Sequence, residues 1–258
     1  MTVTERTASE QDQRAAVQQR DNLCGPFHIA RVLREFGFAD CDGEPIDQDL
    51  VALRAGTLLP AREEGPQVPP GAINLRDYRY PLATAAQAQS GTGAEALADA
   101  VAELSGGQLA CVALRSSSWT APDVSRLIDG ARSADARLIA NLRTGRLWGS
   151  RPPIEALLAQ LDGRQVRDPP AADWDVGHFV ELVSAIRGPG GELVLVADSY
   201  PSLGWGGRYL QPPAAVAAAL DRGDGRGGGV LAIGRREQAS AIRGLAGSPP
   251  LEIGIWQN

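Results

Sequence analysis

The first 12 residues are polar and carry no apolar period, so regular structure is expected to begin after a flexible lead-in over 1–12. From position 24 the pattern changes. Phe27, Ile29, Ala30, Val32, Leu33 and Phe36 recur at helical spacing, and Gly37 follows, the residue that most easily takes the turn after a helix. This predicts a helix over 24–36. A shorter helix over 47–54 follows Pro45, after which Pro60, Gly65, Pro66, Pro69, Pro70 and Gly71 mark a long irregular crossing. The middle of the chain then alternates: helix 95–104, strand 108–114, helix 122–131, strand 137–142 and helix 153–161. Two of these helices open on proline, which fits a first turn without losing a bonded N–H.

Beyond Pro169 and Pro170 the pattern becomes that of strands. These are expected over 178–185 and 192–197, around a Gly188-Pro189-Gly190-Gly191 turn, and again over 229–233 and 251–256. One helix, 212–220, interrupts this half, and 223–228 reads as a mobile surface turn. No internal repeat is visible. Helices first and an antiparallel sheet afterwards is an α+β pattern, expected here as one domain over 13–258. The helical lobe would cover about 13–135 and the β-rich lobe about 136–258, with a cleft between them as the natural place for a substrate.

Composition narrows the chemistry. A chain of 258 residues that is 43% hydrophobic can bury a sizeable core. A net charge of −6 gives no electrostatic reason for a nucleic-acid or membrane partner. No stretch is apolar enough to span a bilayer and the start lacks a signal-peptide pattern, so a cytoplasmic location is expected. All 25 basic residues are arginine. Without lysine, neither a Schiff base nor the lysine of a phosphate-binding loop is possible. Three scattered cysteines, Cys24, Cys41 and Cys111, and two histidines, His28 and His178, provide no metal-ligand spacing; no cofactor and no metal are expected.

What remains points to a thiol nucleophile. Cys24 opens a helix, where the positive end of the helix dipole favours a thiolate. Gly25 would let a substrate approach the backbone, and Pro26 fits the first turn. His178 enters an apolar strand after Gly177, a rigid mounting for a general base. His28, four residues after Cys24 on the same helix face, is the competing histidine. Asp198, at the end of the next strand, could orient the imidazole, with Asp175 as the alternative acid. Gln18 or Gln19 could add a side-chain N–H to that of the Cys24 backbone at a developing oxyanion. Trp174, Tyr200, Trp205 and Tyr209 could wall the cleft, and the glycine-flanked loop 200–207 is the best candidate for substrate contact.

At Gln18, Cys24, Gly25, Gly177, His178, Phe179, Val180 and Asp198 the chain resembles the papain-like cysteine peptidases, most closely the group that removes bacteriocin leader peptides, and their acyltransferase relatives. The resemblance covers about a third of the chain. It implies a papain-like two-lobed fold, a cysteine, histidine and aspartate triad, and a thioacyl intermediate. The substrate would be a peptide or acyl thioester, presented by a precursor peptide or a carrier protein. Three functions follow: a stand-alone thiol peptidase in the lead, an acyltransferase or amide-forming ligase, and a non-catalytic papain-like binding module. The chain departs from the pattern at Leu23, where the bacteriocin peptidases usually carry an acid, and after Asp198, where it has Ser199-Tyr200-Pro201 and those peptidases have proline directly. Nothing in this sequence reads as the membrane transporter to which those peptidases are fused, and 178 − 54 = 124 positions separate Arg54 from His178.

Overall fold

The computed structural model describes residues 17–62, 68–247 and 251–256; the lead-in expected over 1–12 lies outside them. In chain order the elements are α1 (Cys24–Glu35), β1 (Asp40–Cys41), β2 (Glu44–Pro45), α2 (Gln48–Arg54), β3 (Leu59–Pro60), β4 (Thr84–Ala85), α3 (Ala94–Leu104), β5 (Leu109–Ser116) and α4 (Ala121–Ser133). They continue with β6 (Arg137–Arg143), α5 (Ile154–Leu161), β7 (Gly177–Arg187), β8 (Glu192–Ala197), β9 (Arg208–Gln211), α6 (Pro213–Leu220), β10 (Gly229–Arg235), α7 (Ala239–Arg243) and β11 (Leu251–Ile253).

The architecture is mixed α/β around a seven-stranded sheet of order β11-β5-β10-β6-β7-β8-β9, antiparallel at every pairing. Helices cover both faces, which is why the central strands are almost continuously apolar. In β10, Val230 and Ala232 join the cluster containing Val124 and Leu127 of α4 and Val216 and Leu220 of α6. Their neighbours Leu231 and Ile233 join the cluster of Ile29 and Leu33 of α1, Leu50 of α2 and Leu97 of α3. Leu138 and Ile139 of β6, and Val180 and Phe179 of β7, divide between the faces in the same way. Alternate side chains of one strand thus serve two cores.

The expected lobe boundary near residue 135 does not divide the molecule. β5 precedes it in sequence, yet pairs with β10 along its length, from Leu109↔Arg235 to Arg115↔Gly229. β10 also pairs with β6, so a strand from each expected lobe is needed to satisfy its two edges. Strand β9 was not expected, because Arg208-Tyr209-Leu210-Gln211 is short and polar at both ends. β11 stops at Ile253, short of the expected Trp256. The start of α4 follows its sequence closely: Thr120 and Asp123 exchange backbone-to-side-chain hydrogen bonds in a capping box, and Pro122 sits in the first turn. Among the described residues no helix is long and apolar enough to cross a membrane.

Candidate active site

Cys24 is the first residue of α1, whose N-cap, Leu23, contributes no side-chain hydrogen bond. The leading N–H groups of the helix are therefore left to the thiol and to whatever binds beside it. The approach to the helix is held from outside. Arg20 donates its backbone N–H to Gln48 at 2.7 Å and its guanidinium to Asp49 at 2.8 Å, a buried ion pair that anchors the segment to α2. Asp21 accepts from the Leu75 N–H and from Arg76, and its carbonyl accepts the Tyr78 hydroxyl. Asn22 then takes a left-handed φ of 64°, which asparagine tolerates, and turns the chain into α1. Gly25 is required by packing, since a Cβ there would lie 2.8 Å from Leu97 of α3 and 3.3 Å from Phe179 of β7.

β7 and β8 bring the other two groups. His178 is the second residue of β7, and Asp198 follows the last residue of β8; the pairing of Glu181 with Ala197 sets them side by side. His178 Nε2 lies 3.1 Å from Asp198 Oδ1, with side chains 2% and 0% exposed. Asp198 is saturated with donors: the Tyr200 N–H at 3.1 Å on Oδ1 and the Tyr209 hydroxyl at 3.0 Å on Oδ2. Aromatic rings fix the imidazole further. Tyr200 stacks on it at 5.9 Å between centroids and Trp174 meets it edge-on at 5.0 Å. With Nε2 engaged by Asp198, Nδ1 is the ring nitrogen left without a carboxylate partner, and the imidazole borders the same cleft as Cys24.

The electrostatics follow from this geometry. Burial pushes the Cys24 thiol up, but the hydrogen bond and charge of His178, with the N–H groups of Phe179 and Gly25, outweigh it and hold the thiol below its ordinary value. Burial would push His178 down, yet the charge and hydrogen bond of Asp198 and the contact with Cys24 raise it well above the usual imidazole range. Burial likewise opposes ionisation of Asp198, and the charge and hydrogen bond of His178 reverse it, keeping the carboxyl below its ordinary range. Both shifts run in the direction of a thiolate and imidazolium pair. Cys111 is the contrast: burial and the charge of Asp99 push its thiol up to about 12.

Two alternatives are resolved by position. His28 is fully buried, and among the described residues its ring has no carboxylate within ion-pair distance. Burial and the charge of Arg31 push it down to about 3, so it stays neutral and is a poor proton acceptor. Asp175 is engaged elsewhere: its carboxylate takes two hydrogen bonds from Arg143, at 2.5 and 3.0 Å, and one from the Gly145 N–H, whereas the imidazole is hydrogen-bonded to Asp198.

Gln18, the favoured oxyanion residue from the sequence, donates its side-chain amide to the Ile73 carbonyl at 2.7 Å and does not line the cleft. The hydrogen bonds that clamp the segment before Cys24 turn Gln19 into the cleft instead. Its Oε1 accepts the Ser199 hydroxyl at 2.5 Å and its Nε2 donates to the Arg20 carbonyl at 3.2 Å, leaving the second N–H of that amide for another acceptor.

The cleft is a cavity of about 540 Å³ bordered by Cys24, Gln19, Asn22, Trp174, Gly177, His178 and Tyr200. Of the expected contact residues, Gly25 borders a smaller adjoining cavity of about 80 Å³ that Cys24 shares. Trp205 does not reach the site: it is 62% exposed, on a turn closed by hydrogen bonds with Arg208. The loop 200–207 therefore enters the site only through the buried Tyr200. The turn expected to be a mobile surface feature, 223–228, supplies Asp224 and Arg226 to the cleft, next to Arg222 and Arg143. Sequence reasoning missed these arginines because each stands alone in a glycine-rich or strand-end context; the signal available was Asp-Arg-Gly-Asp-Gly-Arg over 221–226. Among the described residues no group of three or more His, Cys, Asp or Glu side chains is placed to hold a metal.

The chain belongs to the family described as "Family of unknown function (DUF6885)", which it matches over residues 6–257. No curated protein and no solved structure matches it.

Proposed function

We propose that this member of the family is a cysteine-dependent enzyme of papain-like architecture that cleaves or transfers an acyl group through a thioester on Cys24. The observation that carries the proposal is that Cys24, at the start of α1, borders the same cleft as the buried imidazole of His178, which in turn lies 3.1 Å from Asp198. The burial of His178 and Asp198 is offset by their mutual pairing and by the donors on Asp198, and with Cys24 the three stand in the order of nucleophile, base and orienting acid.

The Cys24 thiolate attacks the carbonyl carbon of an amide or acyl substrate, and the resulting oxyanion is received by the Cys24 backbone N–H and the free N–H of Gln19. His178 delivers its proton to the departing amine or thiol as the tetrahedral adduct collapses, leaving a thioester and a neutral imidazole. That imidazole then takes a proton from water or from an accepting amine, whose attack releases the acyl product and restores the thiolate. Asp198 holds the ring and stabilises its charge throughout, and Tyr209, kept protonated by burial and by the charge of Asp198, holds Asp198. Hydrolysis by water is the lead assignment, giving a peptidase; transfer to an amine uses the same groups.

Intact-mass spectrometry tests this. Incubation with peptides and acyl thioesters should give an acyl adduct on the wild type and none on Cys24→Ala. Diversion of product from acid to amide by added amine would assign transfer over hydrolysis. An adduct that persists in Cys24→Ala, or that maps to Cys41 or Cys111, would overturn the assignment.

A further inference from the structure

The cleft contains a second set of charged side chains that the reaction above does not use. Arg143 at the end of β6, Arg222 after α6, and Arg226 before β10 all border it, together with Asp175 and Asp224. Their pairing is uneven. Arg143 is engaged by Asp175, and Arg222 holds both oxygens of Asp224, at 3.1 and 2.8 Å. Arg143 also touches Asp224 at 3.4 Å. The Arg226 backbone N–H donates to Asp224 at 3.3 Å, but its guanidinium has no carboxylate partner among the described residues; one guanidinium N–H donates to the Ala88 carbonyl at 2.6 Å, which steadies the side chain at the cleft edge without neutralising it. Three cations and two carboxylates leave an excess of one positive charge.

Its placement is specific. Arg222 and Arg226 border both cavities that Cys24 borders. Arg222 is buried, anchored to Asn141 at 2.5 Å, and lies against the backbone of Gly177, where a Cβ would stand 2.6 Å from a guanidinium nitrogen. Gly177 directly precedes His178. A guanidinium has five N–H groups, and neither arginine uses all of its own. A half-buried cation with spare donors beside a nucleophile is a receptor for an anion, held as arginine holds carboxylate or phosphate.

We propose that the acyl donor carries a negatively charged group, a carboxylate or a phosphate, which docks on Arg226 and Arg222 next to the carbonyl attacked by Cys24. This rests on the function proposed above and adds the substrate class to it. The arginines position substrate and take no part in proton transfer.

The test compares alkylation of Cys24 by iodoacetate and iodoacetamide, which form the same sulfur–carbon bond with loss of iodide but differ in charge. His178 also favours the anion, so the diagnostic quantity is the change in the ratio of the two rates. Arg226→Gln should lower the iodoacetate to iodoacetamide ratio about three- to tenfold, and Arg226→Glu further, while Arg226→Lys keeps it near wild type. Inorganic phosphate or succinate should protect Cys24 from iodoacetamide in the wild type and lose that effect in Arg226→Gln. Protection by phosphate alone assigns a phosphate, and by succinate alone a carboxylate. An unchanged ratio in Arg226→Gln and Arg226→Glu, with no protection by either anion, overturns the proposal while leaving the activated thiol standing. A Cys24 no faster than free cysteine toward both reagents would overturn the thiol mechanism, and this proposal with it.

Discussion

Two groups of side chains meet in one cleft and are built on opposite plans. Around His178 and Asp198 the carboxylate oxygens have donors, the imidazole is wedged between Tyr200 and Trp174, and burial is nearly complete. Around Arg143, Arg222 and Arg226 donors outnumber acceptors, and one cation lacks a counter-charge. A closed network fixes geometry whatever occupies the cleft, whereas an open one has its vacancies defined by what is to occupy them. The first arrangement suits chemistry common to many substrates. The second suits choice among them.

Removing the base should produce the largest effect. His178→Ala should lower turnover of any substrate by about 10²–10⁴-fold. It should also slow Cys24 alkylation near neutral pH by at least about tenfold, because the thiol returns toward its ordinary value. Thiolate in the wild type should persist as pH falls below the ordinary thiol range, and the midpoint of the alkylation profile should move up in the variant. Equal midpoints would detach Cys24 from His178.

Asp198→Ala should act in the same direction and less strongly on alkylation, since water can replace part of an orienting group. It also strands the buried Tyr209 hydroxyl, at a cost of about 1–3 kcal/mol in urea unfolding, which Asp198→Ala combined with Tyr209→Phe should partly recover. No recovery in the double variant would mean that Tyr209 is supported by something other than Asp198.

Behind the triad, His28 should make the fold sensitive to acid. Its folded value of about 3 lies below the unfolded 6.5, so between these pH values the unfolded chain binds more protons and stability falls as pH falls. His178, raised in the fold, contributes stability that is fully present below 6.5 and is lost only as pH rises through its folded value, so it does not share this window. From pH 6.5 to 4.5, wild-type stability should fall by up to about 1.4 kcal/mol per pH unit more steeply than that of His28→Leu. Parallel curves would mean that His28 is not buried neutral.

The arginine group should be the most forgiving toward folding. Arg143→Gln removes an exposed pairing with Asp175 and should unfold within about 1 kcal/mol of wild type. A larger loss would make Arg143 part of the scaffold and blur the contrast between the two groups.

The elements most legible in the sequence were those whose local pattern and tertiary role agree. The run from Cys24 to Phe36 predicted α1 to within a residue of its end, and the helix starts expected at Pro122 and Pro153 each fell within a residue of the observed ones, with the glycine turn after β7 equally plain. His178 and Asp198 were legible because adjacent antiparallel strands bring the start of one beside the end of the next. Gln18 and Gln19 could not be separated by spacing alone. The choice is made by Gln48, Asp49 and Leu75, which hold the intervening backbone from distant parts of the chain. Arg222 and Arg226 were hidden for a related reason. A glycine-rich segment reads as loose until its partners, Asn141 and the Ala88 carbonyl, are known.

The order of strands in the sheet carries a consequence in time. β10, near the end of the chain, lies between β5 and β6, and β6 in turn supports the strand bearing His178. At roughly 5–20 residues per second of synthesis, the 235 − 24 = 211 positions from Cys24 to the last residue of β10 take about 10–40 s to emerge. Throughout that interval the cysteine has left the ribosome while the sheet that mounts its base is incomplete. On the function proposed above, the thiol of the growing chain would have only ordinary reactivity until the fold that holds His178 beside it is complete.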